Sequence, residues 1–140
     1  PIMSVVAILR PAWQMRPVVR AVNPGAQRRQ ITVIGDLSGL DVGDAEELGK
    51  LLGRGHGAIV MHGQPDERRL GAFRRGLTAN EFPPVVIYLP TERKAINRAL
   101  RTARKNDIVL MFPAGDPGPS IRAAARFDES ALVSPDDSDD

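Results

Sequence analysis

Few residues of this 140-residue chain have the type and placement to do chemistry. His56 and His62 are its only histidines, neither belongs to an H-x-x-x-H or H-E-x-x-H spacing, and there is no cysteine. A metal site built on imidazole or thiolate is therefore not expected. His62 follows an apolar run, at a strand tip, where an imidazole can serve as a base or ligand contact or can simply be solvated. Asp36 follows Gly35 at another tip. A carboxylate there can accept from a ribose hydroxyl, a metal-bound water or an ammonium group, or it can cap its own loop. Gly115-Asp116-Pro117-Gly118-Pro119-Ser120 joins a strand to a short helix, with glycines that let backbone N–H groups approach an anion and Ser120 in position to cap. Two of those residues are prolines without an N–H, which favours a plain turn over a phosphate nest.

The specific nucleotide motifs are missing. The chain has no Gly-x-x-x-x-Gly-Lys-Ser/Thr and no G-x-G-x-x-G after its first strand. Gly53-Arg54-Gly55-His56-Gly57 stands after a helix and before a strand, so it reads as a helix stop. The pairs Arg28-Arg29, Arg68-Arg69 and Arg74-Arg75 lack interleaved aromatics, so no nucleic-acid partner is expected. Pro1 would carry a secondary amine if nothing preceded it, as in tautomerases, but the rest of the pattern does not follow that repeat.

The bulk numbers fit one domain that needs neither disulfide nor metal to fold. Absence of cysteine agrees with a cytoplasmic location, and no stretch reaches the roughly 20 apolar residues of a membrane span. The formal charge of +2 hides an asymmetry. Residues 127–140 hold six carboxylates and no cation. Residues 1–126 thus carry 19 Lys and Arg against 11 Asp and Glu, a formal +8, and 16 of those cations are Arg. Such a body can hold phosphates or carboxylates. The segment from Asp128 onward, acidic and poor in large apolar residues, is expected to be a disordered tail.

Strand and helix patterns alternate to position these residues. Apolar runs at Ser4–Leu9, Ile31–Ile34, Ala58–Met61, Val85–Leu89 and Ile108–Phe112 read as strands buried on both faces. Between them, Pro11 opens a helix with Trp13, Val18, Val19 and Val22 inward and Pro17 kinking it or delaying its start. Asp44 to Glu47 has capping-box character ahead of Leu48, Leu51 and Leu52. Pro65-Asp66-Glu67 suits a first turn before Leu70, Phe73 and Leu77. Thr91 caps a helix with Ile96, Ala99, Leu100 and Ala103 inward, and residues 120–126 form a last short helix. The pattern predicts an α/β domain over residues 1–126: three Rossmann-like layers, a mostly parallel sheet of five or six strands and helices on both faces. Ligands of such sheets bind beyond the carboxyl ends of the strands. Those ends present Arg10, Asp36, Ser38, His62, Gly115 and Asp116 as candidate substrate- or nucleotide-binding residues, with no catalytic residue and no metal ligand among them.

The order of segments resembles the C-terminal domain of the Mur ligase superfamily, most closely its cyanophycin-synthetase-like branch. Ile31-Thr32-Val33-Ile34-Gly35-Asp36 is similar to that domain's strand ending in Gly-Asp, and Asp44–Gly49 to its Ile-Arg-Glu-Leu-Gly helix. Asp66–Thr78, with Gly76-Leu77, resembles the segment ending in Glu-Gly-Leu. Glu92–Leu110 resembles the E-x-x-A-I-x-x-A-L…G-D-I-V-L ending. Pro11–Val22 resembles the helix after the motif Asp-Tyr-(Ala/Gly)-His-Asn-Pro. Setting Pro11 on that motif's proline places Val6, Leu9 and Arg10 where the family has Asp, His and Asn, so the polar nucleotide contacts are lost and Asp36 is the match that carries over. The resemblance implies part of an ATP-dependent carboxylate–amine ligase, not competent alone, closing over nucleotide and amino acid. It implies ATP and Mg only through a P-loop ligase domain or homologous subunit, with a homo-oligomer left open and no membrane. The alternative reading is a stand-alone, non-catalytic α/β module that binds an anionic metabolite or a protein partner.

Overall fold

The computed structural model describes residues 3–6, 10–113 and 115–126, with side chains from residue 10 onward. The acidic segment 127–140 and Pro1 lie outside the described residues. The strands are β1 (Met3–Val6), β2 (Gln30–Ile34), β3 (Ala58–Met61), β4 (Val85–Tyr88) and β5 (Ile108–Met111). They form one parallel sheet in the order β1-β5-β2-β3-β4. Residues 7–9, expected to continue the first strand, lie outside the description. The helices are α1 (Ala12–Val22), α2 (Val42–Leu52), α3 (Glu67–Thr78), α4 (Glu92–Thr102) and α5 (118–126).

The central strands are largely apolar on both faces because both faces are covered, with Gln30 and Thr32 of β2 the polar residues among them. Ile34, Ile59, Met61, Leu110 and Phe112 pack with α1, α2 and α3, while Ile31, Val33, Val60, Val109 and Met111 pack with α4 and Ala123 of α5. This division follows from the strand order. From β1 through β4 the chain advances across the sheet, and from β4 to β5 it turns back. Crossovers of one hand must then carry α4 to the opposite face. Each fully buried Leu, Ile or Phe contributes about 1.5–3 kcal/mol, so these two cores hold the layers together.

Several local expectations need correction. In α1 the inward residues are Ala12, Met15 and Val19, while Trp13 is 69% exposed and Val18 also faces out. Pro11 is the residue before the first turn, and α1 starts at Ala12 without delay from Pro17. Helix α2 is capped by Asp41, whose side chain accepts from the Asp44 backbone N–H, so Asp44 lies in the first turn. Likewise Asp66 is the cap of α3 and Pro65 stands outside it. Strand β4 is not buried on both faces: it is an edge, with Val85 and Tyr88 exposed. Thr91 caps α4 by accepting from the Lys94 N–H.

Helices α2 and α3 touch backbone to backbone. A Cβ on Gly49 would overlap the Phe73 carbonyl oxygen, and one on Gly76 would overlap the Glu46 carbonyl oxygen. Two facing glycines let the helices approach this closely and bury Leu48, Phe73 and Leu77 between them and the sheet. At the opposite edge from the strand tips, buried Asn23 ties α1 to β2, donating to the Arg28 carbonyl and accepting from its N–H. Gln30 in turn donates to Thr32, so this buried polar cluster is satisfied internally.

Candidate functional site

The strand order lines the candidate residues along the carboxyl edge. Arg10 follows β1, Gly115 and Asp116 follow β5, Asp36 and Ser38 follow β2, and His62 follows β3. At about 4.8 Å between strands, Arg10 stands about two strand spacings from Asp36. Strands whose following helices leave to opposite faces are neighbours at β1/β5, at β5/β2 and at β3/β4, and crevices open at such points.

The Gly35-Asp36 turn and His62 form the tightest part of this edge. The β2–β3 register pairs Ile34 with Met61, and the His62 N–H continues the ladder by donating to the Ile34 carbonyl. His62 therefore stands beside Gly35. A Cβ there would lie 2.7 Å from His62 Cε1, so the bare glycine makes room for the ring. Gly63 turns the chain at φ +79°, against the Asp36 backbone. The Asp36 carboxylate accepts from the Ser38 hydroxyl at 2.6 Å and from its N–H at 3.1 Å. The Ser38 hydroxyl and the Ser38 backbone hold its carboxyl below the ordinary range against the opposing effect of burial, and His62 adds a lesser pull in the same direction as Ser38. Asp36 is thus an ionised, exposed carboxylate with one oxygen committed to its loop.

His62 is 5% exposed, not solvated as a loop histidine would be. Burial pushes its pKa below the ordinary 6.5, with Glu92 and Asp36 pulling the other way. Its Nε2 is buried without a hydrogen-bond partner and lies 4.0 Å from Glu92 Oε2. Glu92 enters here because Thr91 caps α4 and makes it the first helical residue, beside the tip of β3. The sequence signal for Glu92 was the cap itself, but its meeting with His62 depends on the β3–β4 pairing. The neutral ring facing a carboxylate is a polar pair able to order a water or a donor group, and charge on the imidazole is resisted by burial.

Asp116 is exposed and accepts from the Gly118 N–H, steering entry into α5. Ser120 does not cap; it is buried inside that helix, which starts at 118. Gly115 is in an open, positive-φ conformation. The structure thus brings Asp36, Ser38 and His62 together, adds Glu92, and leaves Arg10 and Asp116 on neighbouring tips. Asp107 is structural: it accepts from the Arg104 N–H and lies 3.7 Å from Arg29. Among the described residues no group of three or more His, Asp or Glu could hold a metal. Nor is any helix among them long and apolar enough to cross a membrane.

No protein-family model matches the sequence, and no curated protein matches it. The fold is shared with a solved structure, a domain from a protein assigned as a UDP-N-acetylmuramate:L-alanyl-gamma-D-glutamyl-medo-diaminopimelate ligase of Haemophilus ducreyi 35000HP. The TM-score is 0.59 at 16% identity, and the match covers 90% of this chain and 91% of that one.

Proposed function

Proceeding from that shared fold, we propose that this chain is a domain that serves an ATP-dependent carboxylate–amine ligase of the Mur type, working with a P-loop domain in the same enzyme or in a partner. The observation that supports the reading is the extent of the match. It takes in nearly all of both chains, so the likeness is to one whole domain of a ligase. The segment order that resembles the Mur C-terminal domain points the same way, down to the branch that resembles cyanophycin synthetase.

In this reading the carboxyl edge faces the reacting groups. Asp36, ionised and braced by Ser38, accepts from the ammonium of the incoming amine or from a ribose hydroxyl. His62, buried, and Glu92, partly exposed, keep the adjoining tip polar. Arg10, Gly115 and Asp116 line the neighbouring tips. In this reading Mg and the ATP phosphates are held by the P-loop domain. A cytoplasmic site of action goes with this reading.

A thermal-shift screen with nucleotides, amino acids and small carboxylates tests it. The expected result is no saturable rise in Tm with any single metabolite, together with stable association with a P-loop ligase domain encoded in the same reading frame or beside it. A saturable rise with one anionic metabolite, abolished by Asp36→Ala and needing no partner, would move the chain to the metabolite-binding class.

A further inference from the structure

On the face opposite α1–α3, helices α4 and α5 leave a cleft of about 410 Å³. Its floor is apolar, made by the buried side chains of Ile96 and Ala123. Its rim carries three guanidinium groups, Arg93 from α4 and Arg122 and Arg126 from α5. None of the three forms an ion pair among the described residues. The one carboxylate in the lining, Glu92, has its Oε2 only 4.0 Å from the buried His62 Nε2. Against that one carboxylate the lining carries three guanidinium groups, a formal surplus of two positive charges that favours an anion in the cleft. Both helices also start at this end of the sheet, so their positive dipole ends add to the field.

We propose that this cleft is a binding site for a phosphate-bearing small molecule with two or more negative charges. Guanidinium forks match phosphate oxygens two at a time, and Arg122 and Arg126 lie one helical turn apart on the same side of α5. The Asn97 amide adds a neutral donor, and the Ile96–Ala123 floor accepts the apolar body of an ester. The volume falls in the range of small-molecule sites, about 300–1,000 Å³. A monocarboxylate is the weaker candidate, since it brings a single charge to three guanidinium groups. The site does not depend on the ligase reading: its three arginines and its Ile96–Ala123 floor take no part in that reading, and Glu92 is the residue the two share.

The test is a titration of the full chain with inorganic pyrophosphate at fixed ionic strength, followed by two-dimensional amide NMR. The expected result is saturable shifts concentrated in α4 and the first turns of α5. Arg122→Gln and Arg93→Gln should each weaken binding about tenfold, the worth of one hydrogen bond to a charged group. Arg68→Gln, on exposed α3, should leave it unchanged, and all three variants should keep the parent's urea midpoint. Shifts that never saturate, that spread equally over α3, or that respond as strongly to Arg68→Gln would overturn the proposal.

Discussion

Replacing Gly76 by alanine should destabilise the protein although alanine is the better helix former. In an unconstrained helix the change gains about 1 kcal/mol. Here the new methyl would meet the backbone of α2: the Glu46 carbonyl oxygen, the Lys50 nitrogen at 2.7 Å and Gly49 Cα at 2.9 Å. Main-chain atoms cannot rotate away as a side-chain tip can, so α2 and α3 must separate. Overpacking of this kind costs typically about 1–3 kcal/mol and occasionally more. The parting helices also lose contact around Leu48, Phe73 and Leu77. The second effect wins, and the net loss should be about 2 kcal/mol. With a urea slope of about 1–3 kcal/mol per molar, the unfolding midpoint should fall by about 1 M. Gly71→Ala is the matched control on the same helix. The nearest atom to its added Cβ is Arg75 Nη1 at 3.7 Å, so it should stabilise by up to about 1 kcal/mol. Urea unfolding followed by circular dichroism compares the two. A Gly76→Ala protein as stable as Gly71→Ala would refute the backbone contact between α2 and α3.

Three further outcomes are expected. Burial lowers the folded pKa of His62, so the unfolded chain binds the proton first; stability is complete above about pH 6.5 and declines as the pH falls below it. His62→Gln should therefore show a smaller loss of Tm than the parent between about pH 7.5 and 5.5, and an equal loss would contradict the buried neutral ring. Asn23→Ala leaves the Arg28 N–H and carbonyl without their partner and should cost about 1–3 kcal/mol in urea unfolding. Asp41→Ala should cost about 1 kcal/mol by removing the cap of α2, and Asp44→Ala only a few tenths; the reverse ranking would restore the cap to Asp44.

The strands were readable where burial is two-sided. Ala58–Met61 and Ile108–Leu110 are unbroken apolar runs and Ile31–Ile34 is interrupted only by Thr32, and runs of that kind need cover on both faces. Val85–Tyr88 has the same composition but lies at an edge, because a run of apolar letters does not reveal how many neighbours its strand has. The inward face of α1 differs from the apolar pattern for a related reason. Trp13 is the most apolar residue of its turn, yet with Pro11 before the first turn the inward position falls to Met15. Asp36 could be singled out from its place after Gly35. The burial of His62 could not, since it needs the β2–β3 register that sets the ring over Gly35 and the switch between β3 and β4 that brings up Glu92. The site's members were therefore legible as residue types at strand tips, and their contacts were not.

The central claim, that this domain serves a P-loop ligase and does not cleave ATP by itself, is tested most directly by ADP release from Mg-ATP. The account predicts background release from the chain alone. It predicts release dependent on both a carboxylate and an amine once the P-loop domain encoded with or beside it is supplied, reduced by Asp36→Ala. Sustained ADP release by the isolated chain, or a coding neighbourhood with no P-loop domain to supply, would contradict it.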